Sequence, residues 1–275
     1  MRDRDERHRS KMTAVISPGG EVSATPAATV VPLRDGEHGL EVLLLRRNTR
    51  GSFAGMWVFP GGRVEPADAE RAASSGPVVG DRAAMAAISG GSSVPAVGLE
   101  RPSELATARC AAVREALEEA AVRLAPEQLA VLSWWLPPRE AARRFSTWFF
   151  LAPFAVGEAV TVDRGEISEH RWLQPASALA ARDRGEIELA PPTWMTLRAL
   201  AAFPDVDGAM SAARARPPSQ YVTRVLLSGS SLLATLWEGD VAYDDPTVGL
   251  GAPGPRRRLV FDDAGWRFEG QDFDR

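Results

Sequence analysis

Apolar and polar residues alternate along residues 26–47, "PAATVVPLRDGEHGLEVLLLRR", and the pattern predicts two strands around a turn at Asp35-Gly36. The next stretch, "NTRGSFAGMWVFPGGRVEPAD", predicts a strand running into a glycine-rich loop. Residues 69–102 lose all periodicity. They are rich in Gly, Ala, Ser and Pro, with one short helical segment at "DRAAMAAI", and read as an insertion. Helical spacing then returns, with Ser103 as the expected N-cap of a helix from Glu104 to about Leu124. Strand patterns follow in "LAVLSWWLPP", "RRFSTWFFLAPF" and "SEHRWLQP". Residues 174–203 predict two short helices split at Pro191-Pro192. "SAARARPPSQ" reads as a linker to three late strand stretches, "YVTRVLLSG", "SLLATLWEG" and "RRRLVFDDAGWRFEG". Interleaved strands and helices predict a mixed α/β fold.

One helix carries more charge than packing requires. Placed at 100° per residue, Val113, Leu117, Ala120 and Leu124 fall on one side of "AAVREALEEAAV" and predict its buried face. Glu115, Glu118 and Glu119 fall opposite, within about a 100° arc. Like charges at this spacing repel by a few tenths of a kcal/mol per pair. A solvated acidic face is the plain explanation. However, Glu115 has Glu119, not a cation, four residues on, and converging carboxylates suit a hard divalent ion. Upstream, "FPGGRVEPAD" puts two glycines where a strand enters a loop. This is either a simple turn or a place where backbone comes close to a ligand.

Composition narrows the class. The chain has 275 residues and a net charge of −4, which gives no electrostatic footprint for nucleic acid. A single cysteine, Cys110, and scattered His8, His38 and His170 offer neither a disulfide nor a Cys/His metal cluster. No apolar run approaches the ~20 residues of a membrane span. The charged start "MRDRDERHRSKM" has no following apolar core, so it reads as a disordered tail, not a secretory signal. The expectation is a cytoplasmic protein acting on a small molecule, without nucleic-acid or membrane partners, with a homodimer left open.

Gly62, Asp68 six residues on, and "REALEEAAV" from Arg114 resemble the Nudix box, GX5EX7REUXEEXGU, where U is aliphatic. Asp68 stands for the first Glu, Ala116 for an aliphatic residue and Ala121 for the Gly, and residues 69–113 stand where the box has seven. With "VLLLRRNTRGSFAGMWVFPGG", "RRFSTWFFLA" and the segment from Glu166 to Leu200, the interrupted box resembles the coenzyme A diphosphatase branch of the Nudix hydrolases.

That resemblance implies a Nudix-type α/β/α sandwich with a mixed sheet, plus an insertion and a strand-rich C-terminal extension. The implied organisation is a tail at 1–23, the Nudix domain at 24–204 with its insertion at 69–102, and the extension at 205–275 packed on the core. It implies Mg²⁺ or Mn²⁺ held by Glu115, Glu118, Glu119 and the Gly62 carbonyl, and a structural ion pair between Asp68 and Arg114. Glu115, Glu166 and Glu169 are the candidate general bases. Arg46, Arg47, Arg50 and Arg144 are candidates for substrate phosphate, because guanidinium grips phosphate through two hydrogen bonds. Each could equally be a solvated strand-edge arginine. Trp57, Trp134, Trp135 and Trp148 could stack on a base or fill a core. The implied reaction is hydrolysis of coenzyme A or acyl-coenzyme A to 3′,5′-ADP and (acyl-)4′-phosphopantetheine. ADP-ribose or NADH hydrolysis is the alternative, and a non-catalytic nucleotide sensor is a third reading.

Overall fold

The computed structural model describes residues 23–48, 54–75, 102–154, 157–229, 231–262 and 265–270. The tail, most of the insertion with its "DRAAMAAI" segment, and Arg50 lie outside the described residues. The chain divides into two compact units.

The larger unit, Pro26–Trp134 with Thr147–Gln220, holds the Gly-rich loop and the acidic helix. Its first two strands, β1 (Thr25–Gly36) and β2 (Gly39–Arg47), pair antiparallel with Gly36 opposite Gly39. The turn is therefore Glu37-His38, two residues beyond the expected Asp35-Gly36. Asp35 has another use: its carboxylate accepts the Val206 N–H at 2.9 Å. Strand β3 (Trp57–Val58) pairs with β2, and β4 (Gly61–Arg63) pairs with β1. Strands β5 (Ala130–Leu136) and β6 (Phe145–Pro153) complete the order β3-β2-β1-β6-β5, and β7 (Ile167–Leu173) also lies against β2. Val30, Val31, Leu33 and Val42 through Leu45 are all fully buried. Burial of consecutive residues means that both sheet faces are covered, as in α/β folds.

Helix α1 (Pro66–Ser75) occupies the start of what reads in sequence as an insertion. Pro66 suits the first helical position, where its missing N–H is no loss. Asp68 reaches back to accept the Glu65 N–H at 2.9 Å, half of a capping box. Helix α2 (Pro102–Ala120) is the acidic helix, and Ser103, the expected N-cap, lies inside it. The helix stops four residues short of Leu124. Ala121 takes φ 56° and its N–H bonds to the Leu117 carbonyl. An alanine there costs about 1–2 kcal/mol relative to an ordinary helical conformation. The box has glycine at this position, which would adopt this φ without that cost.

The buried face of α2 also differs from expectation. Ala108, Ala112, Ala116 and Ala120 form the core stripe, all at 1% exposure or less, whereas Leu117 is 47% exposed. Small residues let α2 approach α1 and β4 closely, which larger side chains would prevent. Helices α3 (Pro175–Arg184) and α4 (Pro191–Leu200) are the expected pair. Helix α5 (Val206–Ala215) takes up the first half of the expected linker, capped by the Asp205 carboxylate on the Gly208 N–H at 2.8 Å. Among the described residues no helix is long and apolar enough to cross a membrane.

The smaller unit contains Trp135–Ser146 and Tyr221–Arg275. The chain enters it through β8 (Ser219–Val222) and then forms an antiparallel sheet of β9 (Arg224–Ser228), β10 (Ser231–Leu236), β11 (Arg257–Asp262) and β12 (Gly265–Gly270). The sequence expects three strands here. Strand β9 follows β8 after one residue, and the last stretch folds into a β11–β12 hairpin. Trp135 stacks on Tyr221 at 3.8 Å and meets Trp237 edge-on at 5.8 Å.

Asp240 and Arg258 form a fully buried ion pair in this unit, with Arg258 Nε donating at 2.6 Å. Burial by itself would raise the Asp240 pKa, but hydrogen bonds from Arg258 and from the Arg257 and Ala242 N–H groups outweigh it and hold the carboxyl below its ordinary value. A depressed folded pKa adds stability that is complete above the ordinary carboxylate range and disappears as pH falls through the folded value. Urea denaturation should therefore show wild type keeping its advantage over Asp240→Asn at neutral pH and losing it as the pH falls below the ordinary carboxylate range. A constant gap across that fall in pH would refute the linkage.

Candidate active site

Three segments meet at the acidic helix. The first is the Gly-rich loop between β3 and α1. Gly62 lies opposite Ala28 in the β1–β4 pair, and a Cβ at Gly62 would fall inside the Glu115 carboxylate. The Glu115 carboxylate, the far end of a flexible side chain, would have to shift to admit it. Gly61 donates its N–H to Glu119 Oε2 at 3.0 Å and is the more confined, since a Cβ there would meet the Ala28 carbonyl and the Thr29 backbone.

The second segment begins α1. Asp68 is completely buried, and Arg114 grips it with two nitrogens, Nε to Oδ1 and Nη2 to Oδ2, both at 3.1 Å. Arg114 also donates to Glu115 and Glu118 at 2.9 Å and to the Arg63 carbonyl at 2.8 Å. One guanidinium thus joins the Gly-rich loop, α1 and α2. Fork geometry allows this, whereas a lysine ammonium could not grip Asp68 in the same plane.

The third segment comprises the end of β2 and the loop before β7. The β2–β7 register shifts between Arg46 and Arg47. Such an irregularity re-aims side chains. Arg46 stays with its cross-strand partner Glu169 at 3.6 Å, and Arg171 holds the same carboxylate at 2.7 Å. Arg47 instead reaches Glu166 at 2.7 Å and Glu119 at 3.5 Å. Of the two candidate acids, Glu166 in the loop therefore joins the cluster, while Glu169, within β7, contacts Arg46 and Arg171.

Electrostatics are consistent with crowding. Burial pushes the Glu119 carboxyl up to about 8, opposed by the Gly61 N–H and Arg47 and reinforced by Glu115 and Glu166. Burial is also the main cause raising Glu115, with Arg114 opposing and Glu118 and Glu166 adding to it. Among the described residues no three acid, histidine or cysteine groups already converge as a metal cluster. The carboxylates are held by Arg114 and Arg47. In charge and donor type, however, the set suits a hard cation: oxygen donors only, with Glu119 buried, Glu115 half-buried and Glu118 exposed.

Several candidates lie elsewhere. Arg144 belongs to the smaller unit, is buried, and donates to the Pro137 carbonyl at 3.3 Å. Trp57, Trp134, Trp135 and Trp148 are all 5% exposed or less and belong to cores. Two contributors escape the sequence reading: the Gly61 N–H, and Asp163, which organises the Glu166 loop. The "DRGE" pattern at 163–166, an Asp two residues before a Gly, is a legible turn signal.

Comparison with known proteins shows the family. The NUDIX domain family model matches residues 24–74 and 87–204, more than half of the chain. A Caenorhabditis elegans protein, "Putative nudix hydrolase 7", is 25% identical over 218 residues, covering 74% of this chain and 70% of its own length. The crystal structure of a NUDIX hydrolase from Alicyclobacillus acidocaldarius superposes with a TM-score of 0.56 at 24% identity, covering 70% of this chain and 97% of that one; it shows the shared fold. With the glycine loop, the buried Asp68–Arg114 pair and the acidic helix in one place, this chain belongs to the NUDIX family and is a hydrolase of diphosphate bonds.

Proposed function

We propose that this enzyme uses Mg²⁺ or Mn²⁺ to hydrolyse coenzyme A or acyl-coenzyme A to 3′,5′-ADP and (acyl-)4′-phosphopantetheine. The observation that carries the reading is the interrupted box. Asp68 and Arg114, 46 positions apart, close on each other at 3.1 Å, so a long interruption is compatible with an intact site. An interruption at this point, with the flanking "RRNTRGSFAGMWVFPGG", is what resembles the coenzyme A branch.

Glu115, Glu118, Glu119 and the Gly62 carbonyl would hold the cation, which when bound polarises phosphoryl oxygens and acidifies water. The attacking water forms a bond to one phosphorus. The bond from that phosphorus to the bridging oxygen breaks, and its electron pair leaves with the second phosphate. Glu166, exposed and beside the cluster, accepts the water's proton as general base. Arg47 holds Glu166 at the cluster and offers its guanidinium to a substrate phosphate. Residues 24–204 carry the chemistry, and the enzyme acts in the cytoplasm.

Coenzyme A differs from its dephospho form by a 3′-phosphate. One charge-assisted contact to that group is worth roughly 1.5–3 kcal/mol, about one to two decades of discrimination. The test is kcat/KM for coenzyme A, dephospho-coenzyme A, ADP-ribose and NADH with one metal. Coenzyme A should lead, with dephospho-coenzyme A about tenfold or more behind. A tenfold lead for ADP-ribose or NADH would replace the coenzyme A reading and leave the Nudix chemistry standing.

A further inference from the structure

Asp163 has no place in the Nudix box, yet its contacts converge on the candidate base. Its carboxylate accepts the Glu166 N–H through Oδ2 and the Ile167 N–H through Oδ1, both at 2.9 Å. Its own N–H donates to the Glu119 carbonyl at 3.2 Å, and two residues earlier the Thr161 N–H donates to the Ala120 carbonyl at 3.0 Å. Those carbonyls belong to the last turn of α2, where helical backbone has no partner of its own. One residue thus takes up an orphan carbonyl of the acidic helix and fixes the backbone that carries Glu166.

The opposite side of the loop is held as well. The Asn48 N–H donates to the Glu166 carbonyl at 2.8 Å, and its side-chain amide donates to the Gly165 carbonyl. Arg164 in between takes φ 59°, a conformation that an arginine adopts only when its surroundings impose it. Glu166 is exposed, and its side chain pairs with Arg47. Arg47 holds the Glu166 carboxylate from one side, and Asp163 with Asn48 fixes the backbone that carries it.

We infer that Asp163 is a positioning residue: it locks the 163–166 turn to the end of α2 so that Glu166 faces the carboxylate cluster. The inference rests on the reading of Glu166 as general base. An unfixed carboxylate spends little of its time in the geometry needed for proton transfer, and small misplacements lower turnover more than binding.

The test is a double-mutant cycle on the full-length enzyme with Mg²⁺, using Asp163→Ala, Glu166→Gln and the pair, with amide hydrogen exchange on the same proteins. Asp163→Ala should lower kcat at least tenfold with KM within about twofold. The Glu166 and Ile167 amides should exchange faster while those of β2 stay protected. In the Glu166→Gln background, removing Asp163 should cost no further turnover, because both act through one group. Asp163→Asn retains one acceptor oxygen and should recover part of the loss. An Asp163→Ala effect of equal size in both backgrounds would overturn the inference alone, and so would unchanged exchange at 166 and 167. Wild-type turnover in Glu166→Gln would overturn the base assignment, and with it the catalytic purpose of Asp163.

Discussion

Replacing Glu119 by glutamine should lower kcat by roughly three orders of magnitude while the metal-free protein unfolds at the same temperature or higher. Loss of one directly placed charged group at a phosphoryl-transfer site commonly costs 10²–10³-fold or more. The stability half follows from burial. Glu119 is 5% exposed, and its carboxyl is pushed up to about 8, so the neutral form already suits the folded state. Glutamine copies that neutral shape and can still accept the Gly61 N–H. Glu118→Gln should lower turnover too. Its side chain is 58% exposed and hydrogen-bonded to Arg114, so no gain in stability is expected there. Steady-state kinetics and thermal melts with and without Mg²⁺ decide the matter. Added Mg²⁺ should raise the wild-type Tm more than that of either variant, since a ligand stabilises in proportion to its affinity for the folded state. Near-wild-type turnover in Glu119→Gln would remove the carboxylate cluster from the mechanism.

The second large effect concerns the fold. Arg114→Ala should destabilise the protein by about 3–5 kcal/mol, the usual cost of leaving one half of a buried ion pair behind. Asp68 has no exposed surface through which water could replace the lost partner. Arg71 offers partial compensation at 3.2 Å, but its side chain is 56% exposed and comes from the same helix, so it cannot tie that helix to α2. Arg114→Lys should fall between, keeping the charge and losing the fork. For a domain of this size the Tm should drop on the order of 10 °C. A melt within 2 °C of wild type would show that the Gly-rich loop and α2 are held together by other contacts.

These two experiments separate functions that the sequence presents as one motif. Glu115, Glu118 and Glu119 look equivalent on a helical wheel, yet their surroundings differ. Glu119 is buried against the Gly61 N–H, Glu115 is half-buried over Gly62, and Glu118 extends toward solvent. The wheel also selects Leu117 as a core residue because it weighs side chains by apolar size. The structure buries the alanines instead, since proximity to β4 is what α2 needs if its carboxylates are to reach glycine backbone.

By itself the sequence determined most of the kinds of element present and the family to which the chain belongs. Strand alternation, the paired prolines and the REALEEA spacing are local signals, written within one or two turns of chain, and they survive without knowledge of what packs against them. Only the tertiary structure decided which side of α2 is buried, that the helix ends at Ala121 and not at Leu124, and that Glu166 stands with the carboxylates while Glu169 pairs with Arg46 and Arg171. Each of these depends on a contact between residues far apart in the chain, such as Asp68 with Arg114 or Asp163 with the end of α2. Burial, close approach and ion-pair choice are properties of a neighbourhood in space, and a periodic pattern along one strand or helix carries no record of its neighbours.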